Sequence, residues 1–282
     1  MKKDTLVLYH ASCTDGIGAA YACWEYFQEH ADYLPVQYND PIPDVEGKDV
    51  IIVDFSYKAD ALKSMAEKAK KILLIDHHKT AIDNYYGIVF PDNVKLVLDT
   101  NRSGAILAYH TLFPSSTPPL LLEYIQDRDL HKYTYRETEP ITTALYEIGW
   151  SHPRDLKKYM DTTSPELNNL VALGRILVKA ENKKIETLYN KSHYITLNND
   201  KTSYRVLACN APQLFATKLG HKLAEKTSTY GAVYSFDGRL NKWVVSLRSV
   251  GNFDVGRIAK TFGGGGHLNA AGCSLEIGEL VI

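Results

Sequence analysis

Charge of one sign, paired cysteines and long apolar runs are all missing from this chain, and each gap removes a class of protein. Lys plus Arg number 32 against 33 Asp plus Glu, a formal charge of -1, so no global field draws in a long polyanion such as duplex DNA. A nucleic-acid partner must be short, or held by a local site. No run reaches the about 18 apolar residues of a membrane-spanning helix. Leu6-Val7-Leu8, after Met1-Lys2-Lys3-Asp4, is too short for a signal peptide. The expectation is a cytoplasmic protein with no membrane partner. The four cysteines (Cys13, Cys23, Cys209, Cys273) contain no C-x-x-C pair, which argues against a disulfide framework and a thiolate zinc site. There is no internal repeat, and low complexity is confined to the glycines at 263–266. What remains is globular: 45% hydrophobic and 23% charged residues over 282 positions, enough for about two domains with their own cores.

The apolar runs are short, and polar residues close them. Residues 5–9, 50–54, 72–76 and 94–98 read as strands, the first three buried on both sides. Helical patterns lie between them or follow, at Gly18 to Gln28, Lys58 to Lys70, Ser103 to Leu112, and from Pro118-Pro119 through Asp127. This alternation predicts an α/β domain with a doubly wound, mainly parallel sheet over residues 1–162. A long polar-faced helix then links the domains, within 163–190. Alternating segments at 194–197, 204–208, 232–236 and 243–247, with helices at 212–226 and 253–261, predict a smaller α+β domain over 191–282.

In an open α/β sheet, ligands gather at the carboxyl ends of the strands, near the point where strand order reverses. This sequence sends acids and imidazoles to that edge: His10 and Asp15 after the first strand, Asp54 at the end of the second run, and Asp76-His77-His78 at the end of the third. One aspartate after a strand is ordinarily a helix cap or turn residue. Several converging on one edge repel each other unless a cation neutralises them. Mixed nitrogen and oxygen ligands without thiolate pairs favour a manganese-type divalent ion, without excluding zinc or iron. Two such ions about 3.5–4 Å apart would polarise water and clamp a phosphoryl oxygen. The chemistry implied is phosphoester or phosphoanhydride hydrolysis.

Five segments carry a resemblance. They are Tyr9-His10-Ala11-Ser12-Cys13-Thr14-Asp15-Gly16, Val53-Asp54-Phe55-Ser56, Asp76-His77-His78-Lys79-Thr80-Ala81, Gln126-Asp127-Arg128-Asp129-Leu130, and the glycines 263–266 with His267-Leu268-Asn269-Ala270-Ala271-Gly272. Together they resemble the motifs of the DHH phosphoesterase family, in the subgroup with a DHH-associated C-terminal domain that includes nanoRNases and RecJ-type exonucleases. The resemblance covers almost the whole chain. It implies two divalent ions, manganese foremost, one held by His10 and Asp54. The other would be held by Asp15, Asp54, His77 and an aspartate of the fourth motif, so that Asp54 bridges. Asp76 would orient an imidazole and His78 would lie near the substrate phosphate, which makes Asp54, Asp76 and His78 the catalytic candidates. Asp127 and Asp129 both fit the fourth motif. Two apart on a helix they diverge in direction, so one of them should ligate.

One position departs from the family pattern: Cys13 stands where many members carry an aspartate. It is either a softer ligand to the first ion or a small residue packed behind the loop. The glycine run reads as a phosphate cradle of Gly264, Gly265 and Gly266, followed by a helix start, with His267 donating to a phosphate; a flexible linker is the plainer alternative. Arg248-Ser249 reads as a clamp on the same phosphate, although a surface salt bridge would also explain Arg248. The reading is a hydrolase of short RNA or DNA oligonucleotides or small nucleotides, like a nanoRNase or 3'-5' exonuclease. A phosphodiesterase for signalling dinucleotides, a nucleotide bisphosphate phosphatase, a pyrophosphatase and a catalytically weakened nucleotide-binding module remain alternatives. The sequence also leaves a homodimer open.

Overall fold

The computed structural model describes residues 3–199 and 202–281. The chain divides into two compact units, the first running to Val178 and the second starting at Lys179.

The first unit contains β1 (Thr5–His10), α1 (Thr14–Phe27), β2 (Ala31–Val36), β3 (Asp49–Val53), α2 (Ala59–Ala66), β4 (Lys71–Asp76), α3 (Lys79–Tyr85), β5 (Val94–Leu98), α4 (Gly104–Leu112), α5 (Leu120–Asp129) and α6 (Thr138–Ile148). Helix α7 (Pro165–Tyr189) begins in it. The five strands are parallel, in the order β2-β1-β3-β4-β5. The two-residue period of a strand sorts its side chains into two layers. Val7, Tyr9, Ile51, Val53 and Ile75 pack with α1, α4 and α5. Leu6, Leu8, Val50, Ile52, Ile72 and Leu74 pack with α2 and α3. Burial on both faces is why these strands read as unbroken apolar runs.

Helices α3 and α6 are absent from the sequence expectation, and three further details depart from it. Strand β2, Ala-Asp-Tyr-Leu-Pro-Val, is absent from that expectation because only its two end residues are buried. As an edge strand it also tolerates Pro35. Helix α1 starts at Thr14 rather than Gly18. Its first turn crosses the end of β1 so closely that a Cβ on Gly16 would lie 2.2 Å from the His10 carbonyl oxygen. Helix α2 ends at Ala66 rather than Lys70, because the chain beyond is drawn aside to pair its backbone with Gly47 and Lys48.

The second unit contains β6 (His193–Asn198), β7 (Ser203–Asn210), α8 (Ala216–Thr227), β8 (Tyr230–Asp237), β9 (Lys242–Ser249), α9 (Val255–Thr261), β10 (Gly265–Gly266), β11 (Ala270–Leu275) and β12 (Leu280–Val281). They form a mixed sheet ordered β10-β11-β9-β8-β7-β6-β12, in which β7 and β8 run parallel. Val245 and Leu247 face the core shared with α9, and Val233 and Cys209 face α8. The glycine run does not open a helix. Gly265 and Gly266 pair as a short strand with β11, and the helix α9 precedes them.

Candidate metal centre

Sheet order reverses between β1 and β3, and the candidate residues gather at that carboxyl edge. His10 ends β1, Asp54 follows β3, and Asp76 ends β4 ahead of His77 and His78. Asp54 holds a left-handed backbone with φ 53 and Ser12 one with φ 55, a conformation non-glycine residues adopt only when their surroundings impose it. The Asp54 amide is fixed on the Ile75 carbonyl at 3.0 Å. Its side chain enters the centre against Gly104, where a Cβ would lie 2.6 Å from the Asp54 Cβ. The N-terminus of α4 also fixes Asp15, whose carboxylate accepts from the amides of Gly104 at 2.5 Å and Ala105 at 3.0 Å.

His77 Nε2 lies 3.2 Å from Asp54 Oδ1 and 3.5 Å from both Asp15 Oδ2 and Asp129 Oδ2. His10 Nδ1 lies 3.8 Å from Asp54 Oδ2. Cys13 Sγ stands with His10 and Asp54, their ligand atoms within 4.8 Å of one another. Both Asp54 oxygens, His10 Nδ1 and His77 Nε2 are buried with no hydrogen-bond partner. Orphaned buried acceptors and imidazole nitrogens are costly unless a cation takes them, and this donor set fits a divalent ion on each side of Asp54.

Electrostatics leads to the same conclusion. Burial pushes the Asp15 carboxyl well above its usual range, and the neighbouring charges of Asp54 and Asp129 add to that. Burial also raises Asp129. Against its own burial, Asp54 is held at about 2 by the imidazoles of His10 and His77. Burial disfavours charge on His77 as well, yet the three acids lift it to about 9. The acids thus compete for positive charge that a divalent ion would supply.

A cation bound by His77 would therefore have to displace its proton below about pH 9. We expect apparent metal affinity to rise with pH towards that value, with proton release on binding. The stabilisation that His77 gives the metal-free fold is complete below its unfolded value of 6.5 and lost as pH rises through about 9. Metal-free protein should melt several degrees lower at about pH 9.5 than at about pH 6.5, with manganese reducing the gap. Thermal unfolding with and without chelator checks this, and a melting temperature that rises over that range in chelator would contradict it.

The model of the DHH family, N-terminal domain, matches residues 5–147, and that of the DHHA1 domain matches residues 215–281. The chain belongs to the DHH family. It is a phosphoesterase of the DHH superfamily, and its His and Asp cluster has the donor atoms that could hold a divalent metal. Protein R106 of Acanthamoeba polyphaga mimivirus is 30% identical to it over 292 residues, covering 96% of this chain and 67% of that protein. Solved structures share the fold. The pGpG-specific phosphodiesterase PggH from Vibrio cholerae has a TM-score of 0.59 at 15% identity, covering 98% of this chain and 94% of that one. RecJ from Thermus thermophilus, in complex with Mn2+, has a TM-score of 0.51 at 16% identity, covering 96% of this chain and 49% of that one.

Within this DHH domain the two fourth-motif aspartates part company. Asp129 joins His77 and Asp15, whereas Asp127 does not, which corrects its place among the candidate ligands. Its buried carboxylate accepts from the amides of Thr134 at 2.8 Å and Tyr135 at 3.1 Å, and from the Thr138 hydroxyl. Those bonds shape the loop leading into α6 and hold this carboxylate outside the group formed by Asp15, His77 and Asp129. Asp76 is fully buried. Its Oδ1 accepts from the His77 amide at 2.8 Å and lies 2.7 Å from His78 Nδ1, while its Oδ2 accepts from Ser56 Oγ. The ring of His78 is thereby oriented, and Asp76 is the first cause of its raised pKa.

The Cys13 thiol, raised by burial and then by Asp54, stands at about 12 without a cation. Cys13→Asp would place a charged oxygen beside His10 and Asp54. We expect it to lower the half-saturating manganese concentration several-fold, measured by parallel titration of binding and turnover. Identical curves for the two proteins would leave Cys13 as packing alone.

In the DHHA1 part, Arg248 is half-buried. Its stem lies against Gly220, where a Cβ would lie 2.7 Å from Arg248 Cγ, and its guanidinium donates to Leu247 O and Thr217 Oγ1. Among the described residues it forms no ion pair, and burial lowers its pKa. Ser249 is not available to a substrate. Its buried hydroxyl donates to the Phe253 carbonyl at 2.6 Å and accepts from Asn269 Nδ2 at 3.0 Å, tying two loops together. The Gly264 amide is likewise committed, to Ala259 O at 2.9 Å. A Cβ on Gly264 would lie 2.2 Å from Gly272 O, so this glycine serves strand packing rather than an anion. Gly265, Gly266 and His267 are exposed.

Sequence reasoning missed Gly16 as the crossing of α1 over β1, although glycine directly after an acid in a strand-to-helix turn was a usable signal. It also missed Tyr38, whose ring lies 5.7 Å from that of His10. Gly104 falls within the helical pattern from Ser103 to Leu112, which carries no sign of its contact to Asp54.

Proposed function

We propose that this chain is a manganese-dependent phosphodiester hydrolase that uses two ions to cleave short oligonucleotides or small nucleotides. The observation that carries the reading is the Asp54 carboxylate, buried between His10 and His77 with neither oxygen in hydrogen-bond geometry. One carboxylate set between two imidazoles suits a ligand shared by two cations. His10, Asp54 and Cys13 would hold one, and Asp15, Asp54, His77 and Asp129 the other. When bound, the ions would lower the pKa of an attacking water and take up charge developing on phosphoryl oxygens.

The protein's own residues supply the remaining functions. Asp76 fixes the His78 ring through Nδ1, so that Nε2 is the nitrogen left for substrate. With its pKa raised, His78 keeps its proton further up the pH scale and can donate it to the leaving oxygen. Asp15, held by two amides of α4, keeps its place while charge changes around it. In the second unit, the half-buried guanidinium of Arg248, which pairs with no carboxylate among the described residues, is a candidate phosphate donor, and exposed His267 is the other.

PggH is a pGpG-specific phosphodiesterase, and RecJ an exonuclease that binds Mn2+. A 5'-phosphorylated dinucleotide is therefore the first substrate to try. The test is a manganese-supplemented hydrolysis panel of RNA and DNA dinucleotides, longer oligomers, cyclic dinucleotides, 3'-phosphoadenosine 5'-phosphate and pyrophosphate. We expect turnover of linear dinucleotides to exceed that of longer oligomers. Turnover of pyrophosphate alone would overturn the reading, and no turnover of any would favour a binding module.

A further inference from the structure

A row of aromatic rings runs from the interior of the first unit to the edge of the metal centre. Tyr57 and Phe55, both buried, meet edge to face with centroids 5.0 Å apart. Phe55 directly follows Asp54 in the chain. Tyr38 lies on Phe55 at 4.8 Å with the ring planes inclined by only 33°, and its ring and that of His10 meet edge to face at 5.7 Å. Although it touches two rings, Tyr38 remains 53% exposed. One side is backed by Phe55, and the exposed part of the residue lies beside His10, a ligand candidate of the centre.

The ring is also held in place. Tyr38 occupies the turn Gln37–Asp40 beyond β2, in which Asn39 adopts φ 75, as the third residue of a type II turn requires. The turn is closed twice: the Asp40 amide donates to Gln37 O at 3.2 Å, and the Gln37 amide donates to Asp40 Oδ2 at 2.7 Å. Little conformational entropy remains to be lost when a ligand settles on such a ring. An exposed aromatic that is backed, fixed and adjacent to a phosphate site has the properties of a stacking platform for a planar base.

We propose that Tyr38 stacks one base of the substrate, the one bonded to the nucleotide on the His10 side of the scissile phosphate, and so makes the centre selective for nucleotides over simple phosphoesters. This deepens the hydrolase reading above and rests on it for the position of the phosphate. Stacking needs the ring and not the hydroxyl, so Tyr38→Phe should retain the property and Tyr38→Ala should lose it.

The test is equilibrium binding, in manganese, of a dinucleotide with a non-cleavable methylenephosphonate linkage and of two analogues, each lacking one base. For wild type and Tyr38→Phe, removing one particular base should weaken binding about tenfold, and removing the other much less. For Tyr38→Ala that base should make no difference. The proposal is overturned if wild type shows no base preference or no binding, or if Tyr38→Ala keeps the preference. Turnover of the cleavable dinucleotide is scored separately. Base selectivity without turnover would sink the hydrolase reading and leave the platform, and turnover without base selectivity would do the reverse.

Discussion

Asp54→Ala is expected to lower phosphodiester turnover by at least about a thousandfold, roughly 4 kcal/mol of transition-state stabilisation. The size follows from position. Every other candidate ligand faces one side of the centre, whereas Asp54 faces His10 with one oxygen and His77 with the other. Its loss removes a ligand from both ions and leaves two imidazoles without the charge between them. Asp54→Asn, which keeps the shape, should lose nearly as much, since the amide oxygen is neutral and a poorer bridge. Both variants should keep a cooperative thermal unfolding transition, because the side chain makes no hydrogen bond that holds the fold. Near-normal hydrolysis in either folded variant would refute the two-metal reading.

The second large effect is steric. A methyl at Gly104 would lie 2.6 Å from the Asp54 Cβ and 2.7 Å from its Oδ1, well inside van der Waals contact. Asp54 cannot retreat, because its amide is fixed on Ile75 O. Helix α4 cannot retreat without breaking its two bonds to Asp15. Gly104→Ala should therefore disturb Asp15 and Asp54 together, lowering turnover and metal affinity by about a hundredfold. It should also destabilise the fold by about 1–3 kcal/mol, the usual cost of overpacking. Gly238→Ala, where a Cβ meets open space, is the control and should leave both unchanged. Unaltered metal binding in Gly104→Ala would show that the close approach has no bearing on the centre.

What is legible in the sequence follows a physical pattern. Strands β1, β3 and β4 can be read because burial on both faces forces an unbroken apolar run, and the ligand candidates can be read because they sit where those runs stop. Strand β2 cannot, since an edge strand buried only at its ends carries no such run. The choice between Asp127 and Asp129 depends on amides seven and eight residues downstream that fold back onto Asp127, and no local periodicity encodes that return. Ser249 reads as a ligand because it follows Arg248, yet strand alternation turns it inward to tie two loops. The glycine run reads as a helix entrance because small residues follow it, but in the fold those residues line up along β9 as a strand. Tyr38 is hidden among 19 tyrosines, since its approach to His10 depends on one left-handed residue and one carboxylate in a turn.

The central claim is that two cations share Asp54. Anomalous diffraction at the manganese edge, from crystals grown with manganese, tests it most directly. Two peaks are expected, one beside His10 and Asp54 and the other among Asp15, Asp54, His77 and Asp129, both absent in Asp54→Ala. A single peak that leaves either His10 or His77 without a metal contact, or no peak at Asp54 at all, would contradict it.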